Sequence, residues 1–140
     1  MRVDFGQINW LAVLVAAVAT FLLGGLWYSA LFQKAWIKSQ NLTDEQVARM
    51  KADMNPAKFF GGMVVSYLVL AVVMAILVTS FDVRSVKSGA LLGLLIWVAV
   101  AAVHMTGHLA SNKAINAFAI DTLFQIIYLV GMGAILAAWR

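Results

Sequence analysis

The chain has 140 residues, 64% of them hydrophobic and 11% charged, with no cysteine and a single proline. A water-soluble domain is about 45–50% apolar and roughly 25% charged, and disordered chains are more polar still. Disorder is therefore excluded, lipid rather than water is the indicated solvent, and a disulfide framework or cysteine-ligated cluster is impossible. Ten Lys/Arg against six Asp/Glu give a net charge of +4.

Four apolar runs follow in chain order: Asn9–Leu31, Phe59–Ser80, Ser88–Ala110 and Phe118–Trp139. Each meets the requirement of about 20 mostly apolar residues for a spanning helix. Asp121 is the only Asp, Glu, Lys or Arg inside them. None shows the continuous polar face of a helix packed in a soluble core. The first run is too long for the apolar stretch of a signal peptide and lacks a small-residue cleavage site, so it is read as a retained span. Its end, Trp27-Tyr28-Ser29-Ala30-Leu31-Phe32, is aromatic, as suits the headgroup level. Trp10, Trp36, Trp97 and Trp139 fall in or near the ends of spans.

The connection 32–58 is long and charged. Thr43 is a good N-cap, with Gln46 three residues on to complete a capping box, and Leu42 with Val47 fits a hydrophobic staple. Val47, Met50 and Met54 recur at helical spacing, so a short amphipathic helix over about 44–54 is expected at the membrane surface or beneath the bundle. It stops before Pro56, because the residue preceding proline avoids the helical region. The short links 81–87 and 111–117 force antiparallel neighbours. The expected fold is a single all-α integral membrane domain over 1–140: four transmembrane helices in an up-down bundle, plus the loop helix.

Lys34, Lys38, Arg49, Lys51, Lys58 and Lys113 lie on one side of such a bundle, and Arg2, Arg84, Lys87 and Arg140 on the other. Lys/Arg excess marks the cytoplasmic side. The long loop is thus expected in the cytoplasm and both termini outside, by a margin that leaves dual insertion open.

The segment Leu23-Gly24-Gly25-Leu26-Trp27-Tyr28-Ser29-Ala30-Leu31-Phe32-Gln33-Lys34-Ala35-Trp36 resembles the Gly-x-x-Trp-Tyr-Ser-Pro-x-x-Phe-x-Lys-x-Trp signature of bacterial membrane proteins grouped as domain of unknown function 1761. Leu42-Thr43-Asp44-Glu45 and the last span, with Ile120-Asp121, Met132-Gly133-Ala134-Ile135-Leu136 and Trp139, are similar to that family too. Ala30 departs from the pattern, which usually has proline there, and this removes the proline basis for a turn. The resemblance implies a four-helix protein of a bacterial inner membrane and supplies no activity.

Asp121 is expected about three residues inside the fourth helix, with Gln125 and Tyr128 on its face. His104 and His108 share a face of the third helix. Trp27 and Tyr28 end the first helix, and Lys58 begins the second, at the same end of the bundle. The opposite end is expected to be nearly bare of polar groups. An ionisable residue in a span costs about 2.5–3.5 kcal/mol and therefore turns inward and pairs; His108, His104 and Lys58 are the candidate partners of Asp121. A carboxylate facing imidazole in a poorly solvated site is the chemistry of a proton relay or coupling site. The competing reading makes Asp121 a first-turn residue favoured by the helix dipole, with a similar role for His108 at a C-terminus.

His104 and His108 have the spacing of helix-borne zinc ligands, with Asp121 as a candidate third, but the glutamate of a zincin motif is missing. No cofactor is implied. Small residues at Ala12, Ala16, Thr20 and Gly24, at Gly89 and Gly93, and at Gly131, Ala134 and Ala138 permit close helix approach, within the bundle or between copies. Basic residues interleave with acidic ones, which gives no footprint for nucleic acid. Neither a phosphate loop nor a spaced nucleophile arrangement is present. Three functions remain: a small transporter or channel-like unit with a polar site at one end, formed as a homo-oligomer; a structural or accessory subunit of a larger membrane complex; and a metal-dependent membrane enzyme. Membrane lipid is a partner in all three.

Overall fold

A computed structural model describes residues 3–140. Arg2, one of the cations assigned above to the second side, lies outside the described residues. The four expected spans are present as helices long and apolar enough to cross a membrane. In chain order the helices are α1 (Trp10–Leu26), α2 (Gln33–Ser39), α3 (Asp44–Asp53), α4 (Pro56–Ser80), α5 (Val86–Leu109) and α6 (Ile115–Ala138), with a π turn over Trp27–Leu31 continuing α1. No strand occurs among the described residues.

The local signals explain most boundaries. Asn9, Asn55 and Ser85 accept hydrogen bonds from the first-turn N–H groups of Ala12, Lys58 and Ser88, so α1, α4 and α5 each begin at a side-chain cap. Pro56 occupies the first turn of α4, where its missing N–H costs nothing. The capping box of α3 forms with both of its bonds, between Thr43 and Gln46. α3 lies outside the packed bundle rather than beneath it, and leaves Met50 and Met54 exposed.

Helix α6 is the hub. It packs along α5 and also touches α1, α2 and α4, while α1 lies along α4. α4 and α5 are joined by a short turn yet make few contacts, so they diverge from that turn. The α5–α6 seam depends on missing side chains: a Cβ at Gly89 would overlap the carbonyl of Gly133, and one at Gly93 the carbonyl of Leu129. This settles which small residues of α6 serve. Gly133 and Ala137 are buried in the seam, whereas Gly131 has open space around it and Ala138 is exposed. Ala12, Ala16 and Thr20 are buried within the bundle, and Gly24 faces Phe124 and Tyr67. The small faces of α1 and α5 are thus taken up by the chain's own helices. Met74, Val78, Leu129 and Met132 fill the centre.

The end of the bundle near residues 7–9, 82–84 and 140 is not bare, contrary to the expectation from the spans alone. The guanidinium of Arg140 donates to Asp82 Oδ1 at 2.8 Å and to Gln7 Oε1 at 3.3 Å, and Asn9 Nδ2 donates to the carbonyl of Trp139 at 2.9 Å. Arg84 pairs with the same carboxylate at 2.8 Å. The charged groups of this clasp, Asp82, Arg84 and Arg140, sit just outside the apolar runs, where a count of charges within spans passes over them.

Candidate functional site

The other end of the bundle centres on Asp121. Helix α6 starts at Ile115, so Asp121 stands six residues into it, about 9 Å along the axis at 1.5 Å per residue. The first-turn reading is therefore corrected: no acidic residue lies in the first turn of α6, and the dipole effect fades within that turn. The helix extends through Ile115, Asn116 and Ala117 before the hydropathy rises, which is why the apolar pattern alone places its start too late.

The partners of Asp121 also differ from those expected. Tyr28 donates its hydroxyl proton to Asp121 Oδ1 at 2.7 Å, and the indole N–H of Trp36 donates to the same oxygen at 3.0 Å. Among the described residues no lysine, arginine or histidine forms an ion pair with Asp121; the ion pairs present are Arg49–Glu45, Arg84–Asp82 and Arg140–Asp82. Its second oxygen, Oδ2, has no protein donor among them. The geometry favours neutral donors because aromatic groups bring an apolar body and one polar tip into a lipid-facing bundle at little desolvation cost.

Two further indoles fix the helix around this carboxyl. Trp27 Nε1 donates to the carbonyl of Ile120 at 3.2 Å, and Trp97 Nε1 to that of Thr122 at 3.0 Å. Four aromatic donors, two from the π turn and one each from α2 and α5, therefore converge on three consecutive residues of α6. Trp27 is only 8% exposed and packs on Ile120 and Phe124. It faces inward, not toward headgroups.

The elements that position these groups are legible once seen. The turn Trp27–Leu31 is a π turn, closed by the bond from the N–H of Phe32 to the carbonyl of Trp27 at 2.9 Å. One residue more per turn shifts the register so that Trp27 and Tyr28 both meet α6. Such turns occur frequently at functional sites. A bend thus follows α1 although Ala30 stands where the family usually has proline. α2, which the periodicity of the loop did not reveal, folds back toward α6. The carbonyl of Ser39 accepts from the N–H of Ala114 at 3.0 Å, and Asn41, with φ 54°, donates to the carbonyl of Asn112 at 2.7 Å. This anchoring holds Trp36 over Asp121.

The histidines belong to a neighbouring layer. His104 Nδ1 lies 3.2 Å from Gln125 Nε2, and both histidine rings lie against Phe118, with centroids 5.4 and 5.7 Å away. Gln125 Oε1 is buried without a partner, so one polar atom of this amide is free whichever way the group is turned. Tyr128 packs edge-on against Tyr67 of α4 at 5.8 Å. Lys58 is exposed at the start of α4 and pairs with no carboxylate among the described residues. Asp121, Tyr28 and Trp27 are thus brought together, His104 and Gln125 form a second pair, and Lys58 joins neither. No three His, Cys, Asp or Glu side chains converge on a common point among the described residues, so Asp121 does not complete a ligand set with His104 and His108. Trp36, Trp97 and Tyr67 are the site residues that spacing did not single out. Their one available signal is an aromatic with a donor near a span end, which is shared by every interfacial aromatic.

No curated protein and no solved structure matches the chain. A family model described as "Protein of unknown function (DUF1761)" matches residues 11–137, which takes in all but the outermost residues of the four spans, the π turn and every aromatic donor to α6. The chain belongs to that family of proteins of unknown function.

Proposed function

We propose that the protein is a small membrane transport unit in which Asp121 takes up and releases a proton or a small cation. One observation carries this reading: a carboxyl two turns inside a membrane helix, held on one oxygen by two neutral donors, with no cationic partner among the described residues. A carboxylate inside a membrane span is costly to leave without a charged partner, and in this reading a transported proton or small cation is that partner. Exchange of that partner is the elementary step of coupled transport. Gln125, with one unpartnered polar atom, and His104 extend the polar surface along α5 and α6.

The centre of the bundle is filled by Met74, Val78, Leu129 and Met132. A water path through one copy would have to displace these side chains. The reading therefore places the pathway between copies of the chain, in a homo-oligomer. Because the small-residue faces of α1 and α5 are consumed internally, a contact between copies along α5 would use larger side chains, such as the exposed Leu91, Leu95 and Val98. The reading takes the membrane to be the plasma membrane, and the excess of Lys/Arg on the side of the long loop 32–58 supports that loop in the cytoplasm with both termini outside.

The test is flux. Purified protein in liposomes loaded with a pH-sensitive dye should acidify or alkalinise the lumen under an imposed potential, and Asp121→Asn should abolish this while preserving helix content. Wild-type flux in Asp121→Asn contradicts the proposal. Flux absent from both, with Asp121→Asn merely less stable, assigns Asp121 a structural role in an accessory subunit.

A further inference from the structure

A groove of about 570 Å³ runs along one face of α4 from Met54 and Asn55 to Tyr67. Lys58 stands at its mouth, Phe59 and Met63 form its walls, and Gly62 leaves it open, since a Cβ there meets nothing within 4 Å. Twelve residues separate Asn55 from Tyr67, which is about 18 Å of helix. The hydrocarbon of one leaflet is about 15 Å deep, half of a ~30 Å core. The groove thus has the reach of a single leaflet, from the interface to the midplane.

Its chemistry is divided in the same way. Of the two hydroxyl residues lining it, Tyr67 stands at its far end and Ser66 donates to the carbonyl of Gly62 at 2.8 Å, so the serine's proton is already used by the helix. The middle of the groove offers a polar solute little to bind. The mouth offers an ammonium with no carboxylate paired to it among the described residues. An apolar slot one leaflet deep under an uncompensated cation complements an anionic headgroup with an acyl tail.

We propose that this groove holds one anionic phospholipid, with its phosphate at Lys58 and one acyl chain lying along α4 past Gly62 toward Tyr67. The site is separate from Asp121 and does not depend on transport. Each buried methylene contributes about 0.8 kcal/mol relative to water, but bulk lipid offers the same gain, so the tail supplies position and the headgroup supplies preference.

The experiment is native mass spectrometry of the full chain released from mixed micelles containing phosphatidylglycerol and phosphatidylcholine, with far-ultraviolet circular dichroism as the control for folding. Wild type should retain phosphatidylglycerol in preference to phosphatidylcholine. Lys58→Gln should reduce that preference about fivefold, the ratio corresponding to ~1 kcal/mol for one surface cation. Gly62→Leu fills the slot and should remove retention of both lipids. Gly61→Leu, at an equally open glycine outside the groove, should retain them. Unchanged retention in Gly62→Leu, or equal loss in Gly61→Leu, overturns the site. Displacement of the lipid by inorganic phosphate overturns it in favour of a simple anion site.

Discussion

Tyr28 and Asp121, 93 positions apart in the chain, meet at 2.7 Å between phenol oxygen and carboxyl oxygen, and Trp36 approaches that same oxygen from a different helix. Two elements of the first third of the chain are thereby tied to one atom of the last helix. A carboxyl so held has a fixed orientation, and its other oxygen stays free to bind.

This pairing predicts energetic coupling. Tyr28→Phe and Asp121→Leu, which removes the acceptor, should each destabilise the protein, and the double variant should lose less than the two separately, with a coupling of about 1 kcal/mol. Interhelical polar pairs in membranes average about 0.6 kcal/mol and reach about 1.7. Unfolding in bicelles gives the four values of the cycle. Strict additivity would show that the contact contributes no energy of its own.

The α5–α6 seam makes a steric prediction. Gly93→Ala must push the carbonyl of Leu129 away, so it should cost about 1–3 kcal/mol, as overpacking of a close-packed interior does. Gly107→Ala, in the same helix but with nothing within 4 Å, should be neutral or gain up to about 1 kcal/mol from helix propensity. Thermal unfolding of the two variants side by side separates close approach from a general intolerance of α5 to change.

How much of this was legible in the sequence depends on the kind of force involved. The four spans follow from hydropathy because lipid rewards apolar length wherever it occurs, and α3 follows from Thr43 and Gln46 because a capping box is local. The site is legible only in part. Asp121 stands out as the one charge in the spans, but its partners do not. Charge complementarity points to His104, His108 and Lys58, while the protein uses Tyr28 and Trp36, whose single donor atoms leave no mark in a charge pattern. Trp97 is hidden for the same reason, and its target is a backbone carbonyl that no sequence can display. The register shift of the π turn and the docking of α2 arise from tertiary contacts with α6, so neither has a periodic signature. The small residues of α1 and α5 are legible by spacing. On α6 spacing points to Gly131 and Ala138, which lie outside the seam, rather than to Gly133 and Ala137 within it, because spacing alone does not say which stripe faces a neighbour.

The opposite end of the bundle carries a pH prediction. Asp82 closes α4 in a left-handed conformation, φ 50°, with the N–H of Val83 bonded to the carbonyl of Val78 and that of Asp82 to Thr79. That is a position glycine usually takes. The hydrogen bond from Arg84, and then that from Arg140, hold its carboxyl below the usual carboxylate range. A carboxyl lowered in the folded state stabilises at pH values above its unfolded value, and this contribution fades as pH falls through the folded one. The difference in melting temperature between wild type and Asp82→Asn should thus be present at pH 7 and shrink as pH falls below the ordinary aspartate range. Asp82→Gly, which relieves the backbone but loses the charge, should recover part of the loss at pH 7. A difference that persists unchanged at low pH would assign the effect to the turn and not to the ion pairs.

The exchange of a proton or cation at Asp121 is tested most directly by a hydrophobic carbodiimide, which reacts with protonated carboxyl groups in apolar surroundings. Protein in liposomes is treated, digested and mapped by mass while flux is followed in the same sample. The account predicts a principal membrane-embedded adduct at Asp121, slower labelling at higher pH, and loss of flux in proportion to the modified fraction. Flux that continues at full modification of Asp121, or an Asp121 that stays unlabelled while flux is blocked, would contradict it.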